Sequence, residues 1–152
     1  MLPVEKLRVG TDEITILATV EETAGHLFAL EIRMPPGGGP PVMHRHAPSE
    51  VYRVLSGELT FYTTGPDGPA RRTAGPGETV TLAGNTPHNI RNESAADAVA
   101  FCVHAPGAAM EGFVRAAAEL AADGAPAMDD VLAVAQRHGI EMLGPVPAIA
   151  GA

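Results

Sequence analysis

The chain has 152 residues, with 10 Lys and Arg against 18 Asp and Glu, for a formal net charge of −8. That length suits one domain with a core of its own, and 45% hydrophobic with 18% charged residues excludes a disordered chain. No apolar run reaches the ~18 residues of a spanning helix, Met1–Lys6 lacks the features of a secretory leader, and the acidic balance lacks the Lys/Arg field that duplex binding needs; a cytoplasmic protein with no membrane and no nucleic-acid partner is expected.

Residues 1 to about 104 are expected to be β structure. Short runs rich in Val, Thr, Leu and Ile, separated by turn residues, mark strands at 13–19, 25–34, 42–46, 50–56, 58–63, 70–74, 78–82, 88–92 and 98–104. Gly65-Pro66-Asp67-Gly68 is the clearest hairpin signal. Many short strands with Gly/Pro turns predict a sandwich or a small barrel. The run from Met34 to Pro41 resembles a linker in composition, but a boundary there would leave a marginal first piece of about 35 residues, so it is read as a long loop at the rim.

After Pro106-Gly107 the period changes. Met110, Phe113, Val114, Ala117, Leu120 and Ala121 form a helical stripe that stops at Asp123-Gly124. A second helix carries Met128, Val131, Leu132 and Ala135 and ends at His138-Gly139. Gly144 to Ala152 reads as a loose tail. The division is thus 1–108 for the β domain and 109–152 for a helical extension, which packs on the β domain or on a partner.

The informative stretch is Met43-His44-Arg45-His46-Ala47-Pro48-Ser49-Glu50. Two residues apart on a strand, His44 and His46 point to one face. The turn Ala47-Pro48-Ser49 brings Glu50 back beside them. Two neutral imidazoles and a carboxylate converging on one point make a metal half-site. His88, after the turn Gly84-Asn85-Thr86-Pro87, is a fourth candidate. Tyr52 follows Glu50 by two and shares its face; it is either a hydrogen-bond donor to ligand or a core tyrosine. Cys102 is read as a small buried hydrophobe in a reducing compartment, with a Cys102–His104 pair as the alternative. His26 and His138 are read as surface or packing residues.

Gly38, His44, His46, Glu50 and Gly57 stand at the spacings of the first cupin motif, G(x)5HxH(x)3–4E(x)6G, and Gly77, His88 and Asn92 match the second. Ala83 and Asn85 depart from the second motif, where the family has Pro and Gly; Asn tolerates the left-handed backbone that Gly supplies. The chain therefore resembles the cupin superfamily, and more loosely its small single-domain members similar to quercetin dioxygenases. The resemblance implies a single jelly-roll β-barrel followed by two short helices. It implies His44, His46, Glu50 and His88 as ligands of one divalent transition metal per chain (Fe, Mn, Ni, Co, Cu or Zn) and a homodimer, through an edge strand or the helical tail. Asn92 is then a structural group behind His88.

The activity so implied is a dioxygenase acting on a small enol or hydroxylated ring bound to the metal, with Glu50 as ligand or base and Tyr52 beside it. The alternatives are a non-redox isomerase, cyclase or lyase, in which the metal only polarises a carbonyl, or a non-catalytic module that binds a small molecule. The fold alone hosts all three.

Overall fold

The computed structural model describes residues 4–149. Residues 1–3 and 150–152, where the leader was sought and part of the tail placed, lie outside the described residues. Eleven strands and two helices follow in chain order: β1 (Glu5–Val9), β2 (Asp12–Ala18), β3 (Phe28–Met34), β4 (Met43–Arg45), β5 (Ser49–Ser56), β6 (Leu59–Gly65), β7 (Gly68–Ala74), β8 (Thr79–Leu82), β9 (His88–Arg91), β10 (Ala98–Ala105), α1 (Ala108–Leu120), α2 (Met128–Arg137) and β11 (Glu141–Gly144). The nine strands and both helices expected from the pattern are present. The hairpin forms where expected, with Gly65 paired to Gly68 across Pro66-Asp67.

The strands make two antiparallel sheets. One runs β1-β2-β3-β10-β5-β8, the other β11-β4-β9-β6-β7. The closed jelly-roll barrel is corrected here: both sheets are open, each ends in two edge strands, and among the described residues no ladder joins one sheet to the other. The reason lies in the crossings. Between consecutive strands the chain passes between the sheets at 35–42, 46–48, Gly57-Glu58, 75–78, 83–87 and 92–97, and all but the last of these carry Gly or Pro. Such residues bend the backbone or lack the N–H a ladder needs.

The inner faces of the two sheets supply the core: Phe28, Leu30, Met34, Val54, Leu59, Phe61, Val80, Leu82 and Ile90 are buried together. Strand β5 shows the period-2 rule cleanly, with Glu50, Tyr52 and Val54 buried and their neighbours exposed. The helix stripes pack against the same core through Met110, Val114 and Ala135. Neither helix is long and apolar enough to cross a membrane.

Two strands escape the pattern reading. β1 is a largely exposed edge strand, tied to α1 by the Glu5–Arg115 ion pair at 2.7 Å. β11 returns from α2 to pair with β4, placing Met142 opposite His44 and Glu141 opposite Arg45. β11 thus ends at Gly144, the residue where the tail was expected to begin.

The rim loop from Pro35 to Val42 is tied down rather than loose. Arg91 donates to the carbonyls of Gly37, Gly39 and Pro40, Asn89 donates to Pro40, and Gly37 donates to the Asn92 carbonyl at 2.8 Å. The Asn92 side chain donates to the carbonyls of Met34 and Ala96, so it acts as a structural clamp.

Candidate metal centre

Four elements bring the ionisable groups together. β4 supplies His44 and leads into His46, β5 supplies Glu50, β9 opens with His88, and β10 ends near His104. Register does the rest: His44 lies opposite His88 across β4/β9, and His104 lies opposite Glu50 across β10/β5. The turn before His88 uses Asn85 at φ 64°, the left-handed conformation that the family pattern fills with Gly.

The donor atoms of His44, His46 and His88 lie within 4.8 Å of one another. In all three rings Nδ1 faces a backbone carbonyl, that of Val42 at 3.3 Å, Pro48 at 3.0 Å and Thr86 at 2.7 Å respectively. A proton on Nδ1 satisfies each carbonyl and leaves Nε2 as a lone pair, the tautomer a metal-binding histidine needs. His46 Nε2 and His88 Nε2 are buried without a hydrogen-bond partner, as is Glu50 Oε2. Buried polar atoms are otherwise almost always paired.

Glu50 is the hub. Its Oε1 stands 2.6 Å from His46 Nε2, 3.3 Å from His104 Nε2 and 3.5 Å from His88 Nε2. A carboxylate oxygen that close to an imidazole lone pair is repelled unless a cation or a proton sits between them. The residues present thus fit a divalent metal: two orphaned Nε2 atoms, a third imidazole and a carboxylate. Burial, followed by the field of His88, pushes His44 down to about 4, which keeps its ring neutral at ordinary pH. Burial opposes the charge on Glu50, but with a proton rather than a metal between them the surrounding imidazoles of His104, His46 and His88 outweigh it and hold the carboxyl well below its usual range. The cluster is a single buried His/Glu set consistent with one divalent metal per chain.

Tyr52 is buried on the same face as Glu50 and packs edge-on against Phe61. Burial, reinforced by Cys102 and Glu50, pushes its phenol well above 10, so it keeps its proton. Sequence reasoning offers the Cys102–His104 pair only as an alternative to a buried apolar Cys102; the structure places the two side chains together. They join Glu50 in a second group of donors within 4.8 Å of one another, with Cys102 Sγ 3.8 Å from the His104 ring. Burial first, and then Glu50, raises the Cys102 thiol well above its usual value, so it stays a neutral thiol. His26 is exposed, and His138 covers Gly112 of α1, where an added Cβ would come 2.7 Å from the imidazole.

The metal set opens onto a chamber of about 630 Å³ between the β2–β3 face and the two helices. Asp12 of β2 lines it, buried and with Oδ1 unpartnered. Burial pushes Asp12 up to about 6 against the opposing pull of the Gly39 N–H and Arg91. Gly38 has no room for a side chain, since a Cβ would stand 2.7 Å from Asp12 Oδ1. No spacing motif points to Asp12; its one signal is a carboxylate at the head of a strand whose alternate residues are apolar.

A model of the cupin domain family matches residues 30–104. No curated protein matches the chain. Solved structures with a similar fold include a variant of oxalate decarboxylase from Bacillus subtilis (TM-score 0.60, 18% identity, 69% of this chain and 28% of that one). They also include an RmlC-like cupin from Shewanella frigidimarina (0.57, 18%, 68% and 85%). A third is the polyketide cyclase RemF from Streptomyces resistomycificus (0.56, 19%, 68% and 74%). The chain thus spans little more than a quarter of the decarboxylase, and likeness at these identities shows the fold alone. The narrower resemblance to quercetin dioxygenases is corrected: the likeness runs to cupins at large, among them a decarboxylase and a cyclase, and a dioxygenase or oxidoreductase reading is not supported. The span that the cupin-domain model matches, residues 30–104, holds His44, His46, Glu50, His88 and His104.

Proposed function

We propose that the protein is a metal-dependent enzyme of non-redox type, a lyase, cyclase or isomerase, with His44, His46, His88 and Glu50 holding the metal. The observation that carries this reading is the buried set of orphaned Nε2 atoms around Glu50, at one end of a chamber large enough for a small organic molecule. Solved structures with this fold include a decarboxylase and a cyclase, activities of the kind proposed here. A divalent metal held there supplies Lewis-acid polarisation of a substrate oxygen.

The chain's own groups do the rest. Glu50 turns Oε1 to the imidazoles and leaves Oε2 without a partner, so Oε2 is the atom that takes a proton from substrate and returns it. His104 acts on Glu50 as a positioning residue, fixing Oε1 from the neighbouring strand at 3.3 Å. Tyr52, kept protonated by burial, donates a hydrogen bond to the oxygen on which negative charge develops. The apolar walls exclude water, which strengthens each of these contacts.

The test is turnover without oxygen. Metal-loaded protein is incubated anaerobically in D2O with a panel of β-keto acids and β-diketones, and α-deuterium exchange and decarboxylation are followed by NMR. The reading expects exchange or decarboxylation above the metal-only background, lost at least about a hundredfold in Glu50→Gln. Turnover that begins only when oxygen is admitted would contradict it.

A further inference from the structure

The chamber narrows the substrate class. Its polar groups gather at one end, where His44, Glu50, Tyr52 and His104 line it. Away from that end the wall is largely apolar, built from β2 and β3 residues such as Ile14 and Ile32 and from α1 and α2 residues such as Phe113, Ala117 and Val131, with Thr11 and Asp12 as polar exceptions. No Lys or Arg lines it among the described residues, and Asp12 is its one carboxylate beyond the metal set. A small dianion would therefore leave most of the volume unfilled. Its second carboxylate would meet apolar side chains or the Asp12 carboxylate, with no cation lining the chamber to offset the lost hydration.

We propose that the substrate is a drug-sized, largely apolar molecule with one oxygen-bearing head, the head at the metal set and the apolar body against the α1–α2 wall. The proposal rests on the metal reading above for the head, while the body is carried by the chamber itself. Area removed from water then makes affinity grow with the length of the body. The helices thus have a role beyond covering the sheet: Ala117, a small residue on the α1 face that lines the chamber, sets how much body fits. Asp12 accepts a hydroxyl or N–H on that body and disfavours an anion there.

Alkyl hydroxamates separate head from body, because one metal-binding head carries tails of different length. Metal content is measured first on the full chain, and binding of acetohydroxamate, octanohydroxamate and oxalate is then followed by calorimetry. Octanohydroxamate is expected to bind at least about a hundredfold tighter than acetohydroxamate, and oxalate no tighter than acetohydroxamate. Ala117→Trp should cut the tail advantage to less than about threefold while metal content and acetohydroxamate affinity hold. Should that variant fail to fold, Ala117→Leu should give a smaller loss in the same direction. The uncharged fluorophore N-phenyl-1-naphthylamine reads the chamber without metal: it should bind the metal-free protein and be lost in Ala117→Trp. Equal affinity for the two hydroxamates, or oxalate binding tightest, overturns the substrate class and leaves the metal reading standing. Failure to take up metal while the fluorophore binds overturns the metal reading and leaves the apolar body standing.

Discussion

The chamber buries one carboxylate in its metal set and another in its wall, and burial has opposite outcomes for them. Glu50 is 2% exposed, yet three imidazoles hold it ionised. Asp12 is 8% exposed, has no histidine beside it, and is pushed up to about 6. The nearest guanidinium, that of Arg91, is already engaged by the carbonyls of Gly37, Gly39 and Pro40. Desolvation is common to both, so the partners decide the sign. The donor end is built around a negative charge, and the β2 wall tolerates one.

The largest expected contrast comes from removing each carboxylate. Glu50→Ala leaves His46, His88 and His104 facing a hole, and should destabilise the metal-free protein by about 3–5 kcal/mol, read by urea denaturation. Asp12→Asn should have the opposite sign. An acid whose folded-state value is raised above its unfolded value of about 3.9 costs stability progressively as pH rises from about 4 to 6, and carries the full cost above that window. Asp12→Asn should therefore stabilise the protein by up to roughly 3 kcal/mol at pH 7.5 and change it little at pH 3.5. Equal effects at both pH values would show that Asp12 is not the group responsible. Glu50 has the reverse slope: its folded-state value is depressed, so its contribution is present above the ordinary carboxylate range and is lost on acidification.

Smaller effects sharpen the same contrast at the backbone. Asn85, at φ 64° in the turn that delivers His88, should accept Gly with no loss of stability, whereas Asn85→Ala should cost about 1 kcal/mol. Thermal denaturation with and without added metal separates a turn effect, seen in both, from a ligand effect, seen only with metal. On the outer side of β1, the exposed Glu5–Arg115 pair should matter least, with Arg115→Ala costing at most about 1 kcal/mol and less at high salt.

The same contrast marks how far the sequence could be read. His44, His46 and Glu50 sit within seven residues of each other, so local spacing and strand alternation place them on one face without knowledge of the fold. His88 stands out because a turn signal precedes it. His104 and Asp12 carry no such mark. His104 meets Glu50 through the register of β10 on β5, a pairing across 54 positions that no local pattern specifies. Asp12 is buried because β3 and the rim loop lie against β2. The strands with a buried apolar alternation were legible; β1 and β11, exposed on alternate or adjacent positions, were not. Sheet closure was never readable from residues, since it depends on how the Gly/Pro crossings meet.

The central claim is that Nε2 of His44, His46 and His88 and the Glu50 carboxylate hold one divalent ion. Chelator-treated protein titrated with Mn(II) and Zn(II), followed by mass-spectrometric metal analysis after dialysis, tests it most directly, beside a His46→Ala/His88→Ala double variant of confirmed fold. The account predicts saturation at about one ion per chain, and less than about a tenth of that in the variant. Absence of saturable uptake, or uptake unchanged in the variant, would contradict it.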